Sequence, residues 1–175
     1  MRIRAEYPAI QIDIIASNQP QDLRVREADI AVRNFQPTDP ELVARRLRQS
    51  RAYLYAASDY IEQLESTGGL AGAEVVGFDR SERFLEAVNQ SGLELTSEAV
   101  RIVSANQIVQ WELVKSGAGI GVMIEEVGDA EPGVQRVVPE SEGIPVPTWL
   151  TTHREVKTSR RVRVVSDLLA DSLSG

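Results

Sequence analysis

The sequence predicts an α/β fold, and three observations carry that prediction. Residues 100–124, VRIVSANQIVQWELVKSGAGIGVMI, pass from a β-prone run through helix-capping residues into a helical segment and back to an apolar run. Residues 75–78 and 81–90 repeat the change from strand-like to helical pattern. Glycines stand where those two helices should stop, at Gly92 and Gly117.

From the N-terminus, residues 1–7 read as the tail of a helix ended at Tyr7-Pro8, because the residue before proline is driven out of the α region. Ile10, Ile12, Ile14 and Ile15 predict a strand with partial alternation. A short helical connection at residues 23–27 leads to DIAVR at 29–33, a buried strand with a charged exit in Arg33 and Asn34. Pro37, Thr38, Asp39 and Pro40 form a turn, and residues 42–47 and 52–56 give two more strands, LVARRL and AYLYA. Ser58 can cap a short helix with Asp59 in its first turn, and residues 65–72 read as a loop. Next come a strand at 75–78 ending in Phe78 and Asp79, and a helix at 81–90 with Phe84, Leu85 and Val88 on its inner face.

In the central stretch the helix should begin near Asn106. Ile108, Val109, Trp111, Leu113 and Val114 spread around its circumference, which predicts cover on most sides. The run Ile120, Val122, Met123 and Ile124 reads as a parallel strand buried on both faces, making the stretch a βαβ unit. Ligands in open α/β sheets gather beyond the carboxyl ends of strands, where helix N-termini turn unpaired N–H groups outward. Ser104 and Asn106 occupy such a place. A dinucleotide fingerprint is excluded, because its glycines precede a helix whereas Gly117, Gly119 and Gly121 follow one. Residues 125–128 close this part, 134–138 and 146–152 are strands, and a last helix capped by Thr158 or Ser159 buries Val162, Val165, Leu168, Leu169 and Leu173. Ser166 interrupts the shoulder of that stripe.

Composition narrows the function. A net charge of −7 and a sequence pI near 4.9 argue against DNA binding by this chain alone. The basic cluster Arg154, Lys157, Arg160, Arg161 and Arg163 is diluted by Glu155 and Asp167 and lacks aromatics, so it reads as a solvated face or a subunit contact. Without cysteine there is no disulfide framework or thiolate metal site. No export signal or bilayer-length apolar run is visible, so a cytoplasmic protein without a membrane partner is expected. His153 is the single histidine; no G-x-S-x-G, H-E-x-x-H or P-loop accompanies it. An enzyme is therefore not expected, and neither a metal nor a cofactor is.

Four segments together resemble one family. YPAIQIDI, LYAASDYI, SANQIVQWELVKSGAGIGVMI and PTWLTTHREVKTSRRVRVVSDLLA are similar to the effector-binding domain of LysR-type transcriptional regulators, the last through its W-L-x-x-H-R-x-x-x-x-S-R-R-V-R pattern. The resemblance covers nearly the whole chain from Tyr7 onward. It implies two Rossmann-like lobes of periplasmic-binding-protein type II with a cleft between them: residues 1–57 with 130–175, and residues 58–129. It implies a small, carboxylate-like effector in the cleft, with Arg33, Asn34, Phe78, Ser104, Asn106 and Met123 as candidate contacts. It also implies a homodimer or tetramer, and DNA binding only through a winged helix-turn-helix that this chain lacks. The family has a further strand before YPAIQIDI, so the chain reads as N-terminally truncated. At Glu125 it departs from a common family proline, and at Ser166 from a common bulky apolar residue. A free-standing solute-binding protein and a ligand-free interaction subunit, dimerising through residues 10–15, are the alternatives.

Overall fold

A strand of sixteen residues, β2 (Leu42–Ala57), stands where two strands were expected at 42–47 and 52–56. Arg45, Arg46, Arg48 and Arg51 interrupt the apolar pattern without interrupting the extended backbone. The computed structural model describes residues 2–16 and 28–174. The expected helical connection at 23–27 lies outside the described residues. The chain divides into two compact units, Met1–Gln49 with Val146–Gly175, and Ser50–Pro145. The crossover motif had suggested exchange points at 57/58 and 129/130.

In the first unit, α1 (Arg2–Glu6) stops before Pro8, as the proline rule requires. Residues 10–16 form no strand, and Ile12, Ile14 and Ile15 are exposed, which corrects the strand expected there. Alternating isoleucines are strand-prone, but a ladder needs a partner to pair their backbone groups. β1 (Ile30–Arg33) pairs antiparallel with β7 (Ile144–His153), in a register from Ile30–Thr152 to Arg33–Trp149. Val32 is exposed, so β1 is a half-covered strand and not the buried one expected. β7 lies between β1 and β2. It includes Pro145 and Pro147, whose spacing of two puts both missing N–H groups on one side of the strand. α6 (Arg160–Leu173) buries Val162 and Ala170. Ser159 occupies its N-cap position without a side-chain capping bond.

In the second unit, residues 52–57 of β2 are all buried. They pair antiparallel with β5 (Gly121–Ile124) through Ala52–Ile124 to Tyr55–Gly121, and with β6 (Val134–Arg136) through Tyr55–Arg136 to Ala57–Val134. β3 (Val75–Gly77) pairs in parallel with β4 (Val100–Val103), and a single parallel bridge joins Val75 to Ile120. The apolar run at 120–124 is thus parallel only at Ile120. Along β5, Gly121 and Met123 are buried while Val122 and Ile124 are half-buried, so the continuous burial expected there is replaced by alternation.

Four helices complete the second unit. α2 (Ser58–Thr67) runs into the region expected to be loop, ends at Gly68 and is followed by a 3₁₀ turn at Leu70–Gly72. Ala57 holds its N-cap, and Ser58 instead donates to the Gly133 carbonyl at 3.3 Å. α3 (Glu82–Asn89) is capped by Ser81, whose Oγ accepts from Phe84 N. α4 (Gln107–Lys115) follows the Asn106 cap, and α5 (Glu125–Gly128) follows β5. α4 is covered on one face only. Gln110, Trp111 and Val114 are buried against β3 and β5, whereas Ile108 and Val109 are 68% and 46% exposed. Two apolar cores result, one around Leu54, Val75, Val88 and Ile120, the other around Tyr55, Val76, Trp111 and Met123. Each fully buried side chain of this size stabilises the fold by roughly 1.5–3 kcal/mol relative to exposure.

Candidate ligand-binding site

The carboxyl ends of the parallel pair β3 and β4 carry a polar edge that the backbone builds locally. Ser104 leaves β4 and donates its N–H to the Gly77 carbonyl at 3.1 Å, tying the two strand ends together. Its Oγ accepts from Asn106 N at 3.1 Å. Asn106 in turn uses its side-chain Oδ1 to accept from Ile108 N at 2.9 Å and Val109 N at 3.3 Å. The cap therefore satisfies two of the orphan N–H groups at the start of α4, and an incoming anion would not find all of them open. Asn106 is exposed, and the cap engages only Oδ1, so its Nδ2 is the donor that the cap does not use. No acidic residue stands in the first turn of α4, so the positive end of its dipole is uncompensated there.

Two glutamines that sequence reasoning did not single out hold this edge in place. Gln110 is buried at 2% exposure and donates Nε2 to the Ser104 carbonyl. Gln107 donates Nε2 to the Val122 carbonyl at 2.9 Å, joining the helix start to β5. The spacing Asn106 to Gln110 places both residues on one helical face, a signal that the sequence did contain. Gly117 ends α4 in a left-handed conformation, φ 80°, as its place after the helix predicted.

The remaining candidates fall in different settings. Phe78 follows β3, half-buried, with its ring edge-on to Phe84 at 6.2 Å. Asp79 turns back to accept from Ser81 N at 2.8 Å, and its carboxyl lies below the ordinary value because of hydrogen bonds from Ser81. Met123 is buried in the core with Tyr53, Tyr55 and Trp111. In the first unit, Arg33 ends β1 with its guanidinium 5.6 Å from the Phe35 ring centre, and Asn34 is exposed beside it. Ser104, Asn106 and Phe78 thus share one edge of the second unit, Met123 lies in the core, and Arg33 and Asn34 belong to the first unit.

The family model described as the LysR substrate binding domain matches residues 1–174. The chain belongs to the LysR substrate-binding domain family. This LysR domain is 23% identical to the regulatory domain of CrgA from Neisseria meningitidis, with a TM-score of 0.79 over 98% of this chain and 88% of that one. It is 15% identical to the regulatory domain of CcmR from Synechocystis PCC6803, solved in complex with 2-PG, with a TM-score of 0.74 over 99% and 88% of the two chains. These likenesses show an α/β periplasmic-binding-protein-like fold, as the four sequence segments implied. An HTH-type transcriptional regulator of Xanthomonas campestris pv. campestris (strain 8004) is 42% identical over 59 residues, 34% of this chain and 17% of that protein. LysR domains of this kind bind effectors and belong to transcriptional regulators, which are not enzymes. Among the described residues of this one, no helix is long and apolar enough to cross a membrane.

Proposed function

We propose that the domain senses a small anionic metabolite and passes its binding to an intact cytoplasmic regulator assembled as a homodimer or tetramer. The observation that carries the reading is the family match over residues 1–174. The capped edge at Ser104 and Asn106 supports the anionic preference, because an exposed amide side chain stands at the positive end of α4 with no acid in its first turn. Phe78 offers an apolar surface at the same edge. In the first unit, Arg33 and Asn34 are proposed as contacts of the ligand's charged group. The 2-PG held by the Synechocystis domain supports a small-molecule ligand of this kind. DNA would be read by a winged helix-turn-helix outside this chain.

Calorimetric melting of the 175-residue chain against a panel of small carboxylates and 2-PG tests the reading. A ligand selective for the folded state raises the midpoint with concentration. The rise should shrink in Asn106→Ala and in Arg33→Ala; equal rises in both variants would remove the site assignment. A specific observation also favours the ligand-free interaction subunit, because Ile12, Ile14 and Ile15 are exposed in a stretch that forms no strand. Under that reading no panel member shifts the midpoint, and Ile14→Lys lowers the molar mass measured by light scattering.

A further inference from the structure

We infer that the first unit carries a ligand site of its own, for an amphipathic organic anion, in a cavity of about 480 Å³ bounded by β2, β7 and α6. It shares no residue with the Ser104–Asn106 edge, and it goes beyond the effector reading. Its size lies within the roughly 300–1,000 Å³ of small-molecule sites. Val43, Leu150 and Val162 supply apolar wall, the last two buried at 6% and 8% exposure. Arg45, Lys157 and Arg163 bring three cations to the rim, against one acid, Asp167. Arg163 also donates to the Thr158 carbonyl at 3.4 Å, which holds its guanidinium beside the opening.

Ser166 widens the cavity and shows what it wants. It stands one helical turn beyond Val162 and so faces the same side of α6, where the apolar stripe calls for a large side chain. A serine there leaves part of the space open. Its Oγ is buried with no hydrogen-bond partner among the described residues. An unsatisfied hydroxyl against an apolar wall, beneath three cations, matches a molecule with a hydrocarbon body and an anionic head. Two residues of the basic cluster read as a solvated face or a subunit contact, Lys157 and Arg163, thereby acquire a ligand-facing role.

Octanoate is the probe, with octanol, octyltrimethylammonium and inorganic phosphate as comparisons, titrated by calorimetry into the 175-residue chain. Octanoate should bind with one site per chain, and octanol and phosphate should each bind about tenfold more weakly or less, since each lacks half of the recognition. Ser166→Leu takes up part of the cavity and removes its buried hydroxyl, and should weaken octanoate binding about tenfold or more while holding or raising the melting midpoint. Arg45→Glu, a surface change that leaves the core intact, should weaken octanoate about tenfold or more. Asn106→Ala should leave octanoate binding unchanged, which separates this site from the effector edge. Failure of octanoate to bind overturns the inference, as does binding unaltered by both Ser166→Leu and Arg45→Glu. Binding lost only in Asn106→Ala also overturns it, and so does phosphate or octyltrimethylammonium binding as well as octanoate.

Discussion

Tyr55 donates its phenolic O–H to Asp129 Oδ1 at 2.7 Å, joining β2 to the residue that ends α5. Arg136 on β6 closes the same group, binding both carboxylate oxygens of Asp129 and laying its guanidinium 3.6 Å over the Tyr53 ring. The Tyr55 ring meets Trp111 edge-on at 5.9 Å and lies against Gly128 so closely that a Cβ there would enter the ring. Burial first, and then the bond to Asp129, hold the Tyr55 phenol well above its ordinary value, so it stays a donor.

Tyr55→Phe should therefore lower stability by about 1–2 kcal/mol, the range for a hydrogen bond to a charged acceptor that water can partly replace. Calorimetry should read a midpoint fall of roughly 2–8 °C for a chain of this size. Gly128→Ala should cost more than Tyr55→Phe, because the new methyl must displace the ring. An unchanged midpoint in Gly128→Ala would contradict this close approach.

Asp129 sets a pH dependence. The Arg136 guanidinium, and then the Tyr55 hydroxyl, hold its carboxyl below the ordinary value in spite of some burial. A carboxyl depressed in the folded state contributes stability that is present above its unfolded value and is lost as pH falls through the folded one. Melting midpoints should fall on the acid side of about pH 4. Asp129→Asn should show a lower plateau at neutral pH and a shallower acid fall. Parallel profiles for the two proteins would rule out this carboxyl as a source of the acid sensitivity.

Gln110 makes a prediction about the ligand edge through a residue that does not touch solvent. Replacing it with leucine keeps the volume but leaves the Ser104 carbonyl without its donor, at a cost of about 1–3 kcal/mol. The same change should reduce ligand-induced stabilisation, since Ser104 aligns Asn106. A variant that loses stability yet keeps the full ligand shift would mean that Gln110 supports the core and not the edge.

What could be read from the sequence followed how local the chemistry was. Asn106 and Gly117 were legible because a cap or a stop depends on residues within one helical turn. The partner of β5 was not, because an apolar run says that a strand is covered without saying which strand lies beside it or in what direction. The single strand β2 was read as two because residues 48–51, RQSR, carry no apolar pattern, although extended backbone tolerates polar side chains on an open face. The Tyr55–Asp129 bond joins residues 74 apart, and no periodicity in either segment announces it. Of the candidate residues, Phe78, Ser104 and Asn106 lie at one edge of the second unit, whereas Met123 lies in the core.

Asn106 combines two roles that one substitution can separate. As a cap it accepts from two backbone N–H groups, and Asn106→Ala should cost about 1 kcal/mol of stability whatever the ligand does. Asn106→Asp keeps the accepting oxygen and adds a negative charge at the positive end of α4, so the unliganded midpoint should hold or rise slightly. That same charge replaces the amide donor with an acceptor and repels an anion, so the shift produced by a carboxylate ligand should vanish. Melting each variant with and without the ligand separates the effects. A carboxylate that still stabilises Asn106→Asp as much as the parent chain would place the anionic group elsewhere, and Arg33 would then be the first residue to test.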